Sequence, residues 1–407
     1  MRHMSEQTTN IPTGYKLSPL GIIPEDWEVK RLGEVCDIDK NSLSSNTNPN
    51  YEFDYISLSD VDSESFEITT TRQVFKTAPS RARRIVSKGD VIISTVRPNL
   101  QAFTLIKDEV IDLIVSTGFA VLTPQKINGE YLYHYVFSQP ITKQFYQLVV
   151  GSNYPAVNSS DVFHLKIAVP PLLEQQRIVS VLSLWDTAIA KQTALIEKLT
   201  LRKRGLMQQL LTGKKRLKGF EGEWKEVRLG DIAQITMGQS PDSRFYNERG
   251  EGLPLIQGNA DIKDRKSIQR IWTSSVTKAC ECNDIIMSVR APVGEIAIAT
   301  QKSCIGRGVC SITSTNVDAE YLFQLLLLLE DSWGNIEQGG TFTSINSQEI
   351  QKKKVFIPKQ SEQIAIATIL TLADKEIETQ KQKLAAMQEQ KKGLMQILLT
   401  GKRRVTI

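Results

Sequence analysis

Two stretches of the chain concentrate side chains suited to holding a polyanion. Lys76, Arg81, Arg83 and Arg84 fall within nine residues, and Lys263 and Arg265 stand two apart with Lys266 beside them. Phosphate oxygens accept charge-assisted hydrogen bonds from such groups. A second set mixes guanidinium and amide groups: Arg97, Asn99 and Gln101 after one apolar run, with Gln257, Asn259, Arg290 and Arg307 in comparable stretches further on. Arg matches the acceptor edge of guanine bidentately and Asn or Gln matches adenine, so these residue types suit a major groove. Tyr154 and Phe342 sit in Gly-bounded loops where a ring could stack or wedge. A solvated or fold-supporting role competes with the contact role at every one of these positions. Arg97 and Arg290 recur in both halves of the chain, which argues for a shared structural or backbone-contact role, because sequence readers should differ.

Catalytic constellations are hard to assemble. Only three histidines exist, His3, His134 and His164, a supply that argues against a His-based catalytic triad or metal triad. No G-x-x-x-x-G-K-[ST] phosphate loop and no G-x-G-x-x-G turn occurs. The five cysteines, Cys36, Cys280, Cys282, Cys304 and Cys310, are an odd number, which argues against a disulfide framework. Their spacings miss the C-x2-4-C pattern of structural zinc, so small buried strand residues is the better reading and no metal is expected. One loose nuclease-like pattern remains: Asp242 after Pro241, then Asp261-Ile262-Lys263. Two carboxylates and a lysine could position Mg²⁺ and a water, but turn residues on a surface loop explain them as well.

At 407 residues, with 41% apolar and 23% charged residues, the chain has ordinary globular composition and room for two or three domains. The net charge of +5 is compatible with a polyanionic partner and does not require one. The longest apolar run, Leu325 to Leu329, is far short of the ~20 residues that span a bilayer. Met1 to Asn10 is polar, unlike a signal peptide, so a soluble, cytoplasmic protein is expected.

An internal repeat organises the rest. The segment 205–214, Gly-Leu-Met-Gln-Gln-Leu-Leu-Thr-Gly-Lys, returns at 393–402 with one change, displaced by 188 residues. At that offset Pro170 falls on Pro358, Glu174-Gln175 on Glu362-Gln363 and Asp186 on Asp374, with 20 identities in the 48 positions from 170 to 217. Trp27 to Gly33 matches Trp224 to Gly230, and Asp90 to Arg97 resembles Asp284 to Arg290. The chain is two copies of one module, each a variable globular part followed by a closely matched helix.

Those helices carry a long apolar seam. Leu182, Trp185, Ile189, Ile196, Leu199, Leu206 and Leu210 recur at 3–4 spacing, with Gln192 and Lys203 as polar members. In the second copy the seam is Leu370, Ile377, Leu384, Met387, Leu394 and Leu398, with Gln380 and Lys391. Prolines precede each helix and Thr-Gly ends it. Antiparallel pairing of the two helices buries both seams; a pseudo-twofold, nearly circular molecule then places Arg404 beside Trp27 as Arg216 stands beside Trp224. The globular parts read as α+β, with strands at Val91–Val96, Phe119–Leu122 and Ile285–Val289 and helices at Tyr131–Phe145 and Ala319–Glu330. Asn158 with Asp161 and Asn346 with Glu349 read as N-caps with an acidic partner three residues on.

In this layout the chain resembles the specificity subunits of Type I restriction-modification systems. The resemblance lies in Ile23-Pro24-Glu25-Asp26-Trp27 with Arg31-Leu32-Gly33, the repeated Gly89-Asp90-Val91-Ile92 type of segment, the Pro170-Pro171-Leu172-Leu173-Glu174-Gln175-Gln176 helix entry and the Gly-Leu-Met-Gln helix ends. It spans 14 to 405, and the second helix entry departs from it with Lys359 in place of the second proline. It implies a flexible segment at 1–13, a first target recognition domain at 14–172, a spacer helix at 173–213, a second recognition domain at 214–360, a second spacer helix at 361–401, and a tail, 402–407, near the first domain. It further implies double-stranded DNA as ligand, read as a bipartite asymmetric target, with the paired helices fixing the unread gap. Two methyltransferase subunits, using S-adenosylmethionine to methylate adenine N6, and ATP-dependent restriction subunits are the implied partners. The chain itself would be non-catalytic, with S-adenosylmethionine, ATP and Mg²⁺ bound by those partners. The competing readings are a stand-alone nuclease built on Asp261 and a coiled-coil adaptor without nucleic-acid specificity.

Overall fold

The computed structural model describes residues 11–61, 68–149, 156–333 and 344–405. The chain divides into two compact units, Met1–Lys191 with Lys383–Ile407, and Gln192–Gln382. Each combines an α+β globular part with one stretch of each of two long helices, Leu172–Leu210 and Gln360–Leu398. Most of the segment expected to be flexible, 1–13, lies outside the described residues, as do the last two residues of the tail.

In the first unit a hairpin, Tyr15–Ser18 with Gly21–Pro24, leads to a strand, Glu28–Arg31, that pairs antiparallel with Lys166–Val169 just before the first long helix. One four-stranded sheet runs Cys36–Ile38, Phe119–Pro124, Val91–Ser94, Phe103–Leu105; a second runs Thr71–Val74, Glu52–Ile56, Leu113–Ser116, Ala82–Ile85. Val91–Ser94 is buried along its length, which is why it reads as a continuous apolar run rather than an alternating one. The expected helix over Tyr131–Phe145 is two helices, Gly129–Tyr135 and Gln139–Val149. Pro140 falls in the first turn of the second helix, where its missing N–H would have no intrahelical partner in any case, so the proline starts a new helix rather than continuing the old one.

The second unit repeats the plan with different sheets. Lys225–Arg228 pairs with Lys354–Ile357, the counterpart of the first unit's entry pair. A six-stranded sheet follows the order Ala233–Met237, Val309–Ser314, Ile285–Ser288, Ile296–Ile298, Lys266–Ser267, Ile262–Lys263. A five-stranded sheet holds Leu253–Ile256 in parallel with Ser303–Ile305. The helix Ala319–Trp333 is unbroken and carries no proline. Cys280, Cys304 and Cys310 lie buried in strands, as does Cys36 in the first unit, while Cys282 is exposed.

The long helices enter the cores of the units. In the first, Ile178, Val179 and Leu182 with Met395, Leu398 and Leu399 share one cluster with Trp27, Tyr131 and Tyr135. In the second, Met207, Leu210 and Leu211 with Ile366, Ala367 and Leu370 share one with Tyr321, Leu322 and Trp333. Full burial of a Val, Leu, Ile or Met side chain contributes roughly 1.5–3 kcal/mol, so the six such residues in the first unit and the five in the second fasten helix to globe firmly. Among the seam residues Leu182, Leu199, Leu210, Leu370 and Leu398 are buried; Trp185, Ile189, Ile196, Leu206, Ile377, Leu384, Met387 and Leu394 are half-buried. Both helices give way to a turn holding a left-handed glycine, Gly213 at φ +70° and Gly401 at φ +69°. A side chain at Gly401 would also meet the Pro24 ring at 2.3 Å, so glycine is required there twice over.

Among the described residues no helix is long and apolar enough to cross a membrane, and no three His, Cys, Asp or Glu side chains gather as a metal site.

Candidate nucleic-acid interface

Both units build the same frame around the end of a central strand. In the first, Thr95 N–H donates to Gly118 O at 2.8 Å and Val157 N–H donates to Thr95 O at 2.9 Å, while Val96 bridges to Ala156. In the second, Val289 N–H donates to Gly308 O at 2.9 Å and Ile345 N–H to Val289 O at 3.0 Å, while Arg290 bridges to Ser344. Each frame is closed by a capped helix. Asn158 accepts from Asp161 N–H and Asp161 from Asn158 N–H, both at 2.9 Å; Asn346 and Glu349 exchange the same pair at 3.1 and 2.8 Å. These two asparagines therefore cap helices, as the spacing suggested.

Several candidate contact residues collect on these frames. Arg97 is exposed and starts a turn, Pro98–Leu100, whose other flank is Gln101; both flanking residues have left-handed backbone, φ +50° and +52°. Asn99 is exposed within the turn, whereas Gln101 is half-buried and donates to Thr142 Oγ1 at 3.1 Å. Arg81 is exposed, and its carbonyl accepts from Thr117 N–H at 2.8 Å, which ties it to the Gly118 turn. In the second unit Arg307 is exposed in the turn Gly306–Gly308, and Gly306 N–H donates to Ile256 O at 2.8 Å beside Gln257. Arg290, also exposed, follows Val289, whose N–H bonds that turn at Gly308. Gln257, Arg290 and Arg307 are thus gathered by one set of backbone bonds, and Arg81 and Arg97 by its counterpart.

Other candidates are committed within the fold. Arg84, 14% exposed at the side chain, bonds Asp39, the Phe119 carbonyl and Ser159 Oγ, so it joins a loop, two strands and the capped helix. Burial lowers its pKa and Asp39 opposes that, the pattern of an internal ion pair. Arg83 lies over the Phe75 ring at 4.8 Å and donates to the Ala82 carbonyl. Arg265 takes both oxygens of Glu330, and Asn259 donates to Glu295. Gln257 keeps its amide on the Tyr246 hydroxyl at 2.9 Å. Lys76 and Lys263 remain on exposed turn and edge positions. Tyr154 and Phe342 lie outside the described residues. The nuclease-like carboxylates are engaged too: Asp242 accepts from Arg244 N–H at 3.0 Å, and buried Asp261 accepts from Gln257 N–H at 2.7 Å. Sequence reasoning missed Ser240, whose hydroxyl accepts from Arg307 N–H at 3.1 Å; nothing in its surroundings in sequence marks it.

The repeated Glu-Gln at the helix entries has a clear division of labour. Glu174 accepts from Arg404 Nε and Nη2, both at 2.7 Å, and from Trp27 Nε1 at 2.9 Å; Arg404 also forks onto Asp26 at 2.9 Å. Glu362 takes the same fork from Arg216 at 2.6 and 2.7 Å, with the guanidinium 5.9 Å from the Trp224 ring. Glu174 thus links Arg404 of the tail to Trp27. Gln175 accepts from Asn128 N–H at 2.8 Å and Gln363 from Asp318 N–H at 3.0 Å, each at the start of a globular helix. Between the long helices the polar seam residues pair locally: Lys391 with Asp186 in the first unit, Lys203 with Asp374 at 2.6 Å in the second, where Gln192 also donates to Gln380 Oε1 at 2.9 Å.

Comparison with known proteins gives a consistent picture. The family model for the Type I restriction modification DNA specificity domain matches twice, over 24–201 and 221–388. A relative from Methanocaldococcus jannaschii, named for the specificity subunit of type I restriction enzyme MjaX, is 30% identical over 96% of this chain and 97% of its own length. The MjaVIII specificity subunit of the same organism is 24% identical over 94% of each chain. A chain from a solved structure on complex assembly and conformational transition of the type I restriction-modification system superimposes with a TM-score of 0.66, 32% identity, and coverage of 94% of this chain and 99% of that one.

Proposed function

Since the chain belongs to the family of Type I restriction-modification specificity subunits, we propose that its two globular parts each read one half of a bipartite, asymmetric double-stranded DNA target. As a specificity subunit it is the non-catalytic member of its system. The observation that carries the bipartite reading is the duplicated frame: a strand end, a glycine turn and a capped helix, built twice with different exposed residues on it. A common scaffold with diverging side chains is what two readers of unlike sequences require.

We assign 14–172 and 214–360 as the recognition domains, and 173–213 with 361–401 as the spacer helices that fix the unread gap. On each frame Arg81, Arg97 and Asn99, or Arg290 and Arg307, are the contact candidates, with Lys76 and Lys263 on phosphates and Gln257 held beside them by Tyr246. Tyr154 and Phe342 keep their proposed stacking role. Arg83, Arg84, Gln101, Asn259 and Arg265 serve the reading surface indirectly, by holding the loops that carry it. In the assembled system two methyltransferase subunits supply adenine-N6 methylation with S-adenosylmethionine, and restriction subunits supply ATP- and Mg²⁺-dependent cleavage, all in the cytoplasm; this chain scaffolds them. The test is co-expression with the neighbouring methyltransferase subunit and long-read mapping of methylated adenine in host DNA. A bipartite motif with a fixed gap is expected. A stable complex that methylates a continuous motif would overturn the two-reader assignment.

A further inference from the structure

In each unit a polar side chain of one globular helix faces an aspartate on the long helices, and the two contacts differ in chemistry. In the first, His134 on the helix Gly129–Tyr135 places Nε2 3.8 Å from Asp186 Oδ2, and Asp186 is ion-paired with Lys391. In the second, Gln324 on the helix Ala319–Trp333 donates Nε2 to Asp374 Oδ2 at 2.7 Å, and Asp374 is ion-paired with Lys203 at 2.6 Å. The aspartates correspond at the 188-residue offset of the repeat, and so do the lysines. His134 and Gln324 correspond as well, each three residues after the matching Tyr131 and Tyr321. The duplication thus keeps the Asp–Lys pair and varies only the group that reaches it from the globe. Both variable side chains are almost wholly buried, His134 at 3% and Gln324 at 2% exposure.

We propose that His134 and Gln324 are positioning residues that hold each globular part to its own stretch of the long helices, and that only the histidine fastening is loosened by acid. The inference uses the recognition reading solely for what is being held in place.

The charged groups around His134 decide the sign. Asp186 faces it from the first long helix, Lys391 from the second, and Lys107 from the loop after Phe103–Leu105. The Tyr133 ring packs 5.3 Å away. One half-exposed carboxylate, already paired with Lys391, meets two lysines, so an imidazolium here has little net compensation. Burial pushes the imidazole down to about 4; Asp186 opposes this, and Lys391 and Lys107 add to it. Once exposed to water the ring titrates near 6.5. Any opening that frees it therefore takes up a proton as pH falls below that value. Between pH 7.5 and 5.5 the opening constant should rise about tenfold. Gln324 has no proton to gain, and its fastening is blind over the same range.

The test is hydrogen exchange of the full-length chain without DNA, read as protection factors corrected for intrinsic rates, at pH 7.5 and 5.5. Peptides covering 129–135 should lose about tenfold in protection while those covering 319–333 hold theirs. His134→Gln should keep the protection at pH 7.5 and remove its pH dependence; Gln324→His should transfer that dependence to the second helix. His164, the other described histidine, is exposed on the helix Ser159–His164, so His164→Gln should leave the effect in place. Loss of protection in both helices alike, or a pH effect that survives in His134→Gln, would overturn the proposal. Since no DNA is present, neither result bears on whether the chain reads a bipartite target.

Discussion

Removing Arg404 tests how the tail holds the first unit. Glu174 is 8% exposed at the side chain and takes two guanidinium hydrogen bonds and the Trp27 indole. Arg404→Ala leaves a buried carboxylate with the indole alone. Breaking a buried pair by deleting one partner costs about 3–5 kcal/mol. Arg404 itself is 38% exposed and its second fork, onto Asp26, lies in water, where such pairs are worth about 1 kcal/mol or less. The expected loss is therefore at the low end, about 3 kcal/mol. Glu174→Gln removes the stranded charge while keeping an acceptor for Trp27, so the double variant should lose about 2 kcal/mol less than the sum of the singles. A 407-residue, two-unit chain does not unfold in one step, so the assay is native-state hydrogen exchange of peptides covering 28–31 and 172–180. A loss under 1 kcal/mol in Arg404→Ala, or strict additivity in the cycle, would refute the view that this fork neutralises a buried charge.

Other outcomes can be stated more briefly. Arg84→Ala should destabilise the first unit by about 2–4 kcal/mol, because it leaves the largely buried Asp39 carboxylate without its counter-charge, held only by Val121 N–H and the Ser159 hydroxyl; native-state hydrogen exchange of peptides covering 82–85 and 119–124 would show it. Arg97→Ala and Arg290→Ala should lower DNA affinity of the assembled methyltransferase, each reducing the salt slope by about one where the contact is a phosphate. Leu182→Ala, at a fully buried seam position, should cost about 2–5 kcal/mol, whereas Leu184→Ala, 70% exposed, should cost almost nothing. Deleting one heptad from each long helix shortens it by about 10 Å, or about three base pairs of DNA, and should change the unread gap in the methylome while leaving both half-sites as they were. Altered half-site bases would count against the spacer role.

What could be read in the sequence was what is local in sequence or repeated. The long helices showed themselves because Leu182 to Leu210 and Leu370 to Leu398 keep a 3–4 period, and the caps at Asn158 and Asn346 because a capping box is complete within four residues. The tail clamp was anticipated only because Arg404 has a repeat image, Arg216, whose neighbour Trp224 lies close by in sequence. The engagement of Arg84, Asn259 and Arg265 was not legible. Their partners stand 45, 36 and 65 residues away, and which acid meets which base is set by sheet order. That order was itself hidden: Leu113–Ser116 runs parallel to Glu52–Ile56 with no local pattern to announce it. Basic residues in a row looked like one patch, yet Arg84 lies in the strand Ala82–Ile85 and turns inward with Ala82, while Arg81 stands in the turn before it, in water.

The adjacent Glu-Gln pairs act as a two-toothed key. Neighbouring residues on a helix point about 100° apart, and in each entry one tooth engages an arginine while the other engages the start of a globular helix. A helix so indexed cannot turn about its own axis without disengaging both. Its far end is indexed too, by Met207, Leu210 and Leu211 in one helix and Met395, Leu398 and Leu399 in the other. Turning either helix in its seat therefore breaks a charge-assisted fork and a neutral hydrogen bond together, so two bonds of different chemistry guard one rotation.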